Sequence, residues 1–150
     1  MLKKEYKKFI IESLYFILVS LIFTSIDLNN YSGQCIYKLK KPKKTQALFL
    51  ITAHHILGTI ANFGWLATSK IFLSIFIIIN ISIIIHWITN KNRCKTTQKL
   101  NKICGFPEDK WFPDFFYIIG LKKYNFWNKW ASYLFYSFTM LYAIYKLFYG

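Results

Sequence analysis

Four stretches of this 150-residue chain run nearly free of charge, at about 9–28, 46–68, 71–90 and 127–148. The plainest is 71–90, IFLSIFIIINISIIIHWITN, twenty residues closed by Lys70 and Lys91, ten of them isoleucine. At ~1.5 Å per residue, a helix of that length covers about 30 Å, the hydrocarbon thickness of a bilayer. In lipid a helix also satisfies every backbone group internally. This pattern predicts an all-α integral membrane protein: a bundle of about four transmembrane helices in a single membrane domain over residues 1–150. The first stretch, broken early by Glu12, follows a basic start, MLKKEYKK. No small-x-small cleavage site follows it, so it is expected to remain as the first span, with Glu12 snorkelling or pairing with Lys8. In the second, Thr52, His55, Thr59 and Asn62 share one helical face, the kind of small and polar stripe that helices use to pack in lipid. Only a tip around Ser69-Lys70 separates it from the third, which predicts a central antiparallel hairpin. The last is short, 16 uncharged residues between Trp130 and Tyr145, and leans on snorkelling Lys129 and Lys146 and on belt aromatics such as Trp127 and Trp130.

The connections are polar and basic. Residues 29–44 are expected to form a loop, with Pro42 blocking a regular helix. Residues 91–114 form the longest hydrophilic segment. Residues 111–121, WFPDFFYIIGL, are too short to span and are expected to lie in the headgroups.

Net charge is +14, and Arg93 is the single arginine among 20 basic residues. With so little arginine, the preferred base-reading residue, the lysines point away from nucleic acid. They point to anionic lipid headgroups, through Lys38, Lys40, Lys41, Lys43 and Lys44 in the first connection and Lys91, Arg93 and Lys95 in the third. Much of the Lys and Ile content also follows an AT-rich coding bias. Sidedness is contested. The two long connections carry fourteen basic residues against six at the termini and tip, which places the connections in the cytoplasm. Four lysines ahead of the first span favour the opposite arrangement. In either case Cys35, Cys94 and Cys104 lie on one side; if that side is lumenal, a Cys94–Cys104 disulfide and glycosylation at Asn30 both become available.

Candidate chemistry gathers near that side. His54 and His55 precede the tip by about as many residues as His86 follows it, so all three sit at similar depth, with Ser82 and Asn90 on the face of His86 and with Cys94 just beyond. A polar layer of His54, His55, His86, Asn90 and Cys94 is therefore expected. It can fix helix register through hydrogen bonds, ligate haem or a metal, or relay protons. No H-x-x-x-H or E-x-x-H pair is present, so register is the preferred role and no cofactor is predicted. Cys94 among lysines also fits S-acylation. No Ser/His/Asp set and no Gly-rich phosphate loop is legible.

The stretch HWITNKNRCKTTQKLNKICG at 86–105 reads W-x-x-N-x-N-x-C-x-x-T followed by a second Cys-Gly. Together with His54-His55, it resembles a group of small, uncharacterised multi-span membrane proteins of large DNA viruses and AT-rich protists. The resemblance implies no activity, cofactor or catalytic residue, only that His54, His55, His86, Trp87, Asn90, Asn92, Cys94 and Thr97 form one neighbourhood. The expected function is a non-enzymatic, multi-pass component of a viral or organelle membrane, structural or partner-organising, held by its bilayer and by anionic headgroups. The alternatives are a His-based haem or metal redox protein, and a small homo-oligomeric pore or transporter lined by Glu12, Asn62, Asn80 and the histidines.

Overall fold

A computed structural model describes residues 2–91, 93–107 and 129–150. Asn92, Glu108, Asp109, the interfacial segment expected at 111–121 and Trp127 lie outside the described residues. Among those described the secondary structure is helical, without strands. Three helical stretches are long and apolar enough to cross a membrane: Leu2–Ile36, Lys41–Leu66 and Lys70–Thr89.

Helix α1 is Leu2–Asp27. Its path continues through one wide turn, Leu28–Ser32, into α2, Gly33–Ile36. This replaces the loop expected at 29–44. Asn30 supports the turn by donating its side-chain amide to the Ile26 carbonyl at 3.0 Å. Glycine is required at 33, because a Cβ there would collide with the Leu28 carbonyl and crowd the Tyr37 ring. Helix α3 is Lys41–Phe63, and Pro42 sits in its first turn. There the missing N–H has no intrahelical partner to lose, so the proline starts the helix instead of blocking it.

A tight turn, Gly64–Leu66, closes α3. Helix α4 then runs Lys70–Thr89 and is capped by Ser69, whose side chain accepts from the Phe72 amide. Helix α5 is Lys95–Cys104 and ends on Gly105 at φ 70°, where a left-handed residue lets the chain turn. Helix α6 is Lys129–Tyr149.

Helix α1 packs most extensively along α3, and α4 along α6; α4 also touches α1, and α5 lies on α3. Helices α3 and α4 share a smaller contact. Two apolar clusters hold this together. One gathers Phe16, Ala67, Phe72, Leu73, Phe76 and Ala143 around the α3–α4 connection. The other gathers Ile36, Ala47, Ile51 and Leu100 around the start of α3. The outward faces are apolar. Ile78, Ile81, Ile85 and Ile88, at helical spacing along α4, are between 43% and 67% exposed. In water such a face would be an aggregation liability; in lipid it is the solvated surface.

Candidate functional site

The α1–α3 contact begins from two complementary stripes. On α1 the buried residues are Phe16, Ser20, Thr24 and Asp27. Ser20 and Thr24 return their hydroxyls to carbonyls four residues back, Phe16 and Ser20, which leaves a small, satisfied surface. On α3 the buried stripe includes Ala47, Ile51, His55, Thr59 and Asn62. Small residues on both helices allow close approach in the membrane. The expected face through His55, Thr59 and Asn62 is thus the buried one, with Thr52 at its edge. Asn62 also accepts from Tyr136 of α6 at 3.3 Å.

At the upper end of these stripes Asp27 meets His55. Its Oδ2 lies 2.8 Å from His55 Nε2, and its Oδ1 accepts from the Ser32 hydroxyl at 2.6 Å and the Ser32 amide at 3.3 Å. Asp27 is 0% exposed and His55 4%. With the carboxylate as acceptor, His55 Nε2 carries the hydrogen. The wide turn after α1 is what brings Ser32 back over Asp27.

His54, next in sequence, does not join that pair; its influence falls on Cys94. The two rings meet edge to face, with centroids 5.6 Å apart. Cys94 sits at the N-terminal cap of α5 and is half-buried, between exposed Arg93 and exposed Lys95. Burial, the largest single influence, opposes ionisation of its thiol, and the neighbouring His54 imidazole acts in the opposite direction. The first-turn amides of Thr97 and Thr96 add to this without closing a capping hydrogen bond, and the thiol is pulled down to about 6. His86 accepts from the Lys95 amide at 3.2 Å through Nε2, so it holds the start of α5 directly. Asn90 ends α4 and donates to the Arg93 carbonyl at 2.7 Å and to Gln98 at 3.0 Å. His54, His86, Asn90 and Cys94 are therefore brought together at the head of α5. His55 is one step below, turned toward α1. Within the expected polar layer the three histidines thus have three separate partnerships.

The far end of α5 is tied down covalently by a Cys35–Cys104 disulfide. The Cys94–Cys104 pairing entertained above is ruled out geometrically. The two residues are the cap and the last residue of one ten-residue helix. That separates them by ~15 Å, twice the reach of a disulfide. Cys94 remains free.

Around this clamp the basic residues are outward. Lys38, Lys40, Lys41, Lys43, Lys91, Arg93 and Lys95 are exposed, as are Lys99 and Lys102 on α5. Lys44 is half-buried, its ammonium 5.3 Å from the centre of the Tyr37 ring. No carboxylate occurs anywhere between Asp27 and Glu108. At the opposite end of the molecule, Glu12 departs from its expected Lys8 partner. It accepts from the Thr68 amide at 2.6 Å, the Thr68 hydroxyl at 2.8 Å and the Ser69 amide, while Lys8 pairs with Glu5 at 3.3 Å. Lys146 donates to the Trp65 and Ala67 carbonyls nearby. Glu12 is thus a cap for the turn into α4.

Sequence reasoning missed Asp27 as the partner of His55. The signal was present in the spacing Ser20, Thr24, Asp27, a small polar stripe at helical period. Among the described residues no three His, Cys, Asp or Glu side chains converge as a metal site. No family model, curated protein or solved structure matches the chain.

Proposed function

We propose that the chain is a structural membrane protein of four spans, α1, α3, α4 and α6, that organises anionic lipid at the face carrying its two long connections. The carrying observation is the disulfide-clamped α5. Its Lys95, Lys99 and Lys102 are exposed, as are Lys38, Lys40, Lys41 and Lys43 on the connection that the disulfide joins to it and on the start of α3, against which α5 packs. A cationic surface held rigid in this way loses little conformational entropy on meeting headgroup phosphates, and each lysine near an anionic surface contributes ~1 kcal/mol. The histidines support the same role: His55 is committed to Asp27, and His86 to the Lys95 amide. Helix α6, at 21 residues, reaches about 31 Å. A disulfide between the two connections belongs on an oxidising side of the membrane. That arrangement leaves Lys3, Lys4, Lys7 and Lys8 on the cytoplasmic side, as the first span alone prefers and against the overall basic count.

The test compares wild-type protein with a K95Q/K99Q/K102Q variant in nanodiscs of phosphatidylcholine with and without phosphatidylglycerol. The expected result is a rise in unfolding temperature on adding the anionic lipid, weakened by salt and reduced in the variant. Equal unfolding temperatures in both lipids would overturn the proposal.

A further inference from the structure

We propose that the half-open groove between α1 and the end of α3 binds one acyl chain of a phosphatidylethanolamine-type lipid, with the lipid's ammonium group at Glu12 and its phosphate at Lys8. The groove has a volume of about 300 Å³. Phe16, Val19 and Phe23 of α1 form one wall, Phe63 and Leu66 the other, and Glu12 stands at one end. On α1 this stripe runs beside the buried one through Ser20, Thr24 and Asp27. The small residues let the helices touch, and the larger ones stand at the edge of the contact and wall the groove. Both walls belong to stretches long and apolar enough to cross a membrane, so the groove opens sideways into hydrocarbon.

Length and volume select the occupant. Phe23 lies 23 − 12 = 11 residues beyond Glu12. That is a rise of ~16 Å, about half of a ~30 Å bilayer core, the depth of one leaflet. The volume is at the low end of the roughly 300–1,000 Å³ of small-molecule sites. One chain fits, and the second stays in the bilayer. The polar end selects the headgroup. In a chain of net charge +14, two of the six acidic residues, Glu5 and Glu12, stand here with Lys8 between them on one face of α1. Glu12 Oε1 accepts from the Thr68 amide and hydroxyl. Among the described residues, Oε2 accepts only from the Ser69 amide, at 3.1 Å. A carboxylate oxygen has two lone pairs, so Oε2 has room for an ammonium N–H. Lys8, one turn nearer the N-terminus, has a side chain 39% exposed and open to a phosphate. Lys146 is committed to the Trp65 and Ala67 carbonyls. Charges of alternating sign match a zwitterion whose cation can donate hydrogen bonds; a choline headgroup has no N–H to give. This site lies at the opposite end of the molecule from α5 and does not depend on the anionic-lipid contact proposed there.

The test uses the full-length protein, freed of lipid in detergent. It is titrated with phosphatidylethanolamine or phosphatidylcholine carrying identical chains, and bound lipid is read by native mass spectrometry. We expect one phosphatidylethanolamine per chain, held about fivefold more tightly than phosphatidylcholine, the factor one partly exposed ion pair supplies. Excess phosphatidylglycerol, the kind of lipid expected at α5, should leave that molecule in place. Val19→Phe fills the groove from α1, and Leu66→Trp fills it from its exposed side. Each should weaken binding about tenfold while the unfolding temperature in phosphatidylcholine nanodiscs stays at the wild-type value. Glu12→Gln keeps an oxygen for Thr68 and should bring phosphatidylethanolamine down to the level of phosphatidylcholine. Wild-type binding by either folded groove variant overturns the groove as the site. Equal affinity for the two lipids in the wild-type protein, or a preference that survives Glu12→Gln, overturns the headgroup assignment. So does displacement by phosphatidylglycerol, which would mark a site for anionic headgroups.

Discussion

At the scale of single residues, the buried Asp27–His55 pair determines how α1 and α3 register. A carboxylate with three hydrogen-bond donors around it is well satisfied, so removing one partner strands the other away from water. For buried pairs that loss is about 3–5 kcal/mol, while replacing both partners with apolar residues is far milder. Asp27→Leu and His55→Leu should each lower stability by about that amount, and the double variant should recover a large part of it. Reversible unfolding in mixed micelles, read as a double-mutant cycle, checks the coupling; additive losses would mean the pair does not act as a unit. His54 and His55 stood out in the sequence because two polar rings in an apolar run are conspicuous. Asp27 did not, because its partner lies 28 residues away, and the stripe of Ser20, Thr24 and Asp27 marks a buried face without naming what it meets. The split of the two histidines to different partners follows from adjacency on a helix, where neighbours diverge by ~100°.

At the scale of elements, hydrophobic runs found the long helices, and turn residues misled. Asn29, Asn30, Gly33 and Pro42 read as a loop by composition. Yet Asn30 bonds back to the helix, Gly33 fits under the Leu28 carbonyl, and Pro42 opens α3. Each is a local effect, reaching no more than five residues, that composition alone does not distinguish from a loop. Gly64 is different, since it is small for packing. A Cβ there would lie 2.6 Å from the Phe76 ring, and Phe76 is fully buried. Gly64→Ala should therefore destabilise by about 1–3 kcal/mol through overpacking. Gly58, inside α3 with open space around it, is the control: Gly58→Ala should be neutral or gain up to about 1 kcal/mol from helix propensity. Thermal unfolding of the two variants side by side distinguishes packing from propensity, and equal effects would refute the contact.

At the scale of the whole molecule, the Cys35–Cys104 bond joins segments 69 residues apart and makes α5 part of the fold. The chain-entropy relation gives about 4 kcal/mol for a loop of this size, as an upper bound because spans held in a bilayer are already restricted when unfolded. Cys35→Ser should lose less than that in global stability. It should markedly raise amide exchange over residues 95–104 while leaving α4 protected. Unchanged exchange in α5 would show that His86 and Leu100 alone suffice. The pairing itself was open in the sequence, because three cysteines on one side allow several connections and only the ten-residue length of α5 eliminates one of them.

The carboxylates of α1 have one more consequence, in time. Glu5, Glu12 and Asp27 are the only acids before Glu108, and each meets a partner made later, by 65, 56 and 28 residues respectively. A ribosome delivers the acceptors first and the donors afterwards. The Asp27 contact can close once α3 has emerged, and the other two only after Lys70 has left the exit tunnel. Helix α1 is thus synthesised before the partners of its carboxylates and is among the last elements to be fully secured, and stalling synthesis before residue 70 should leave it poorly anchored.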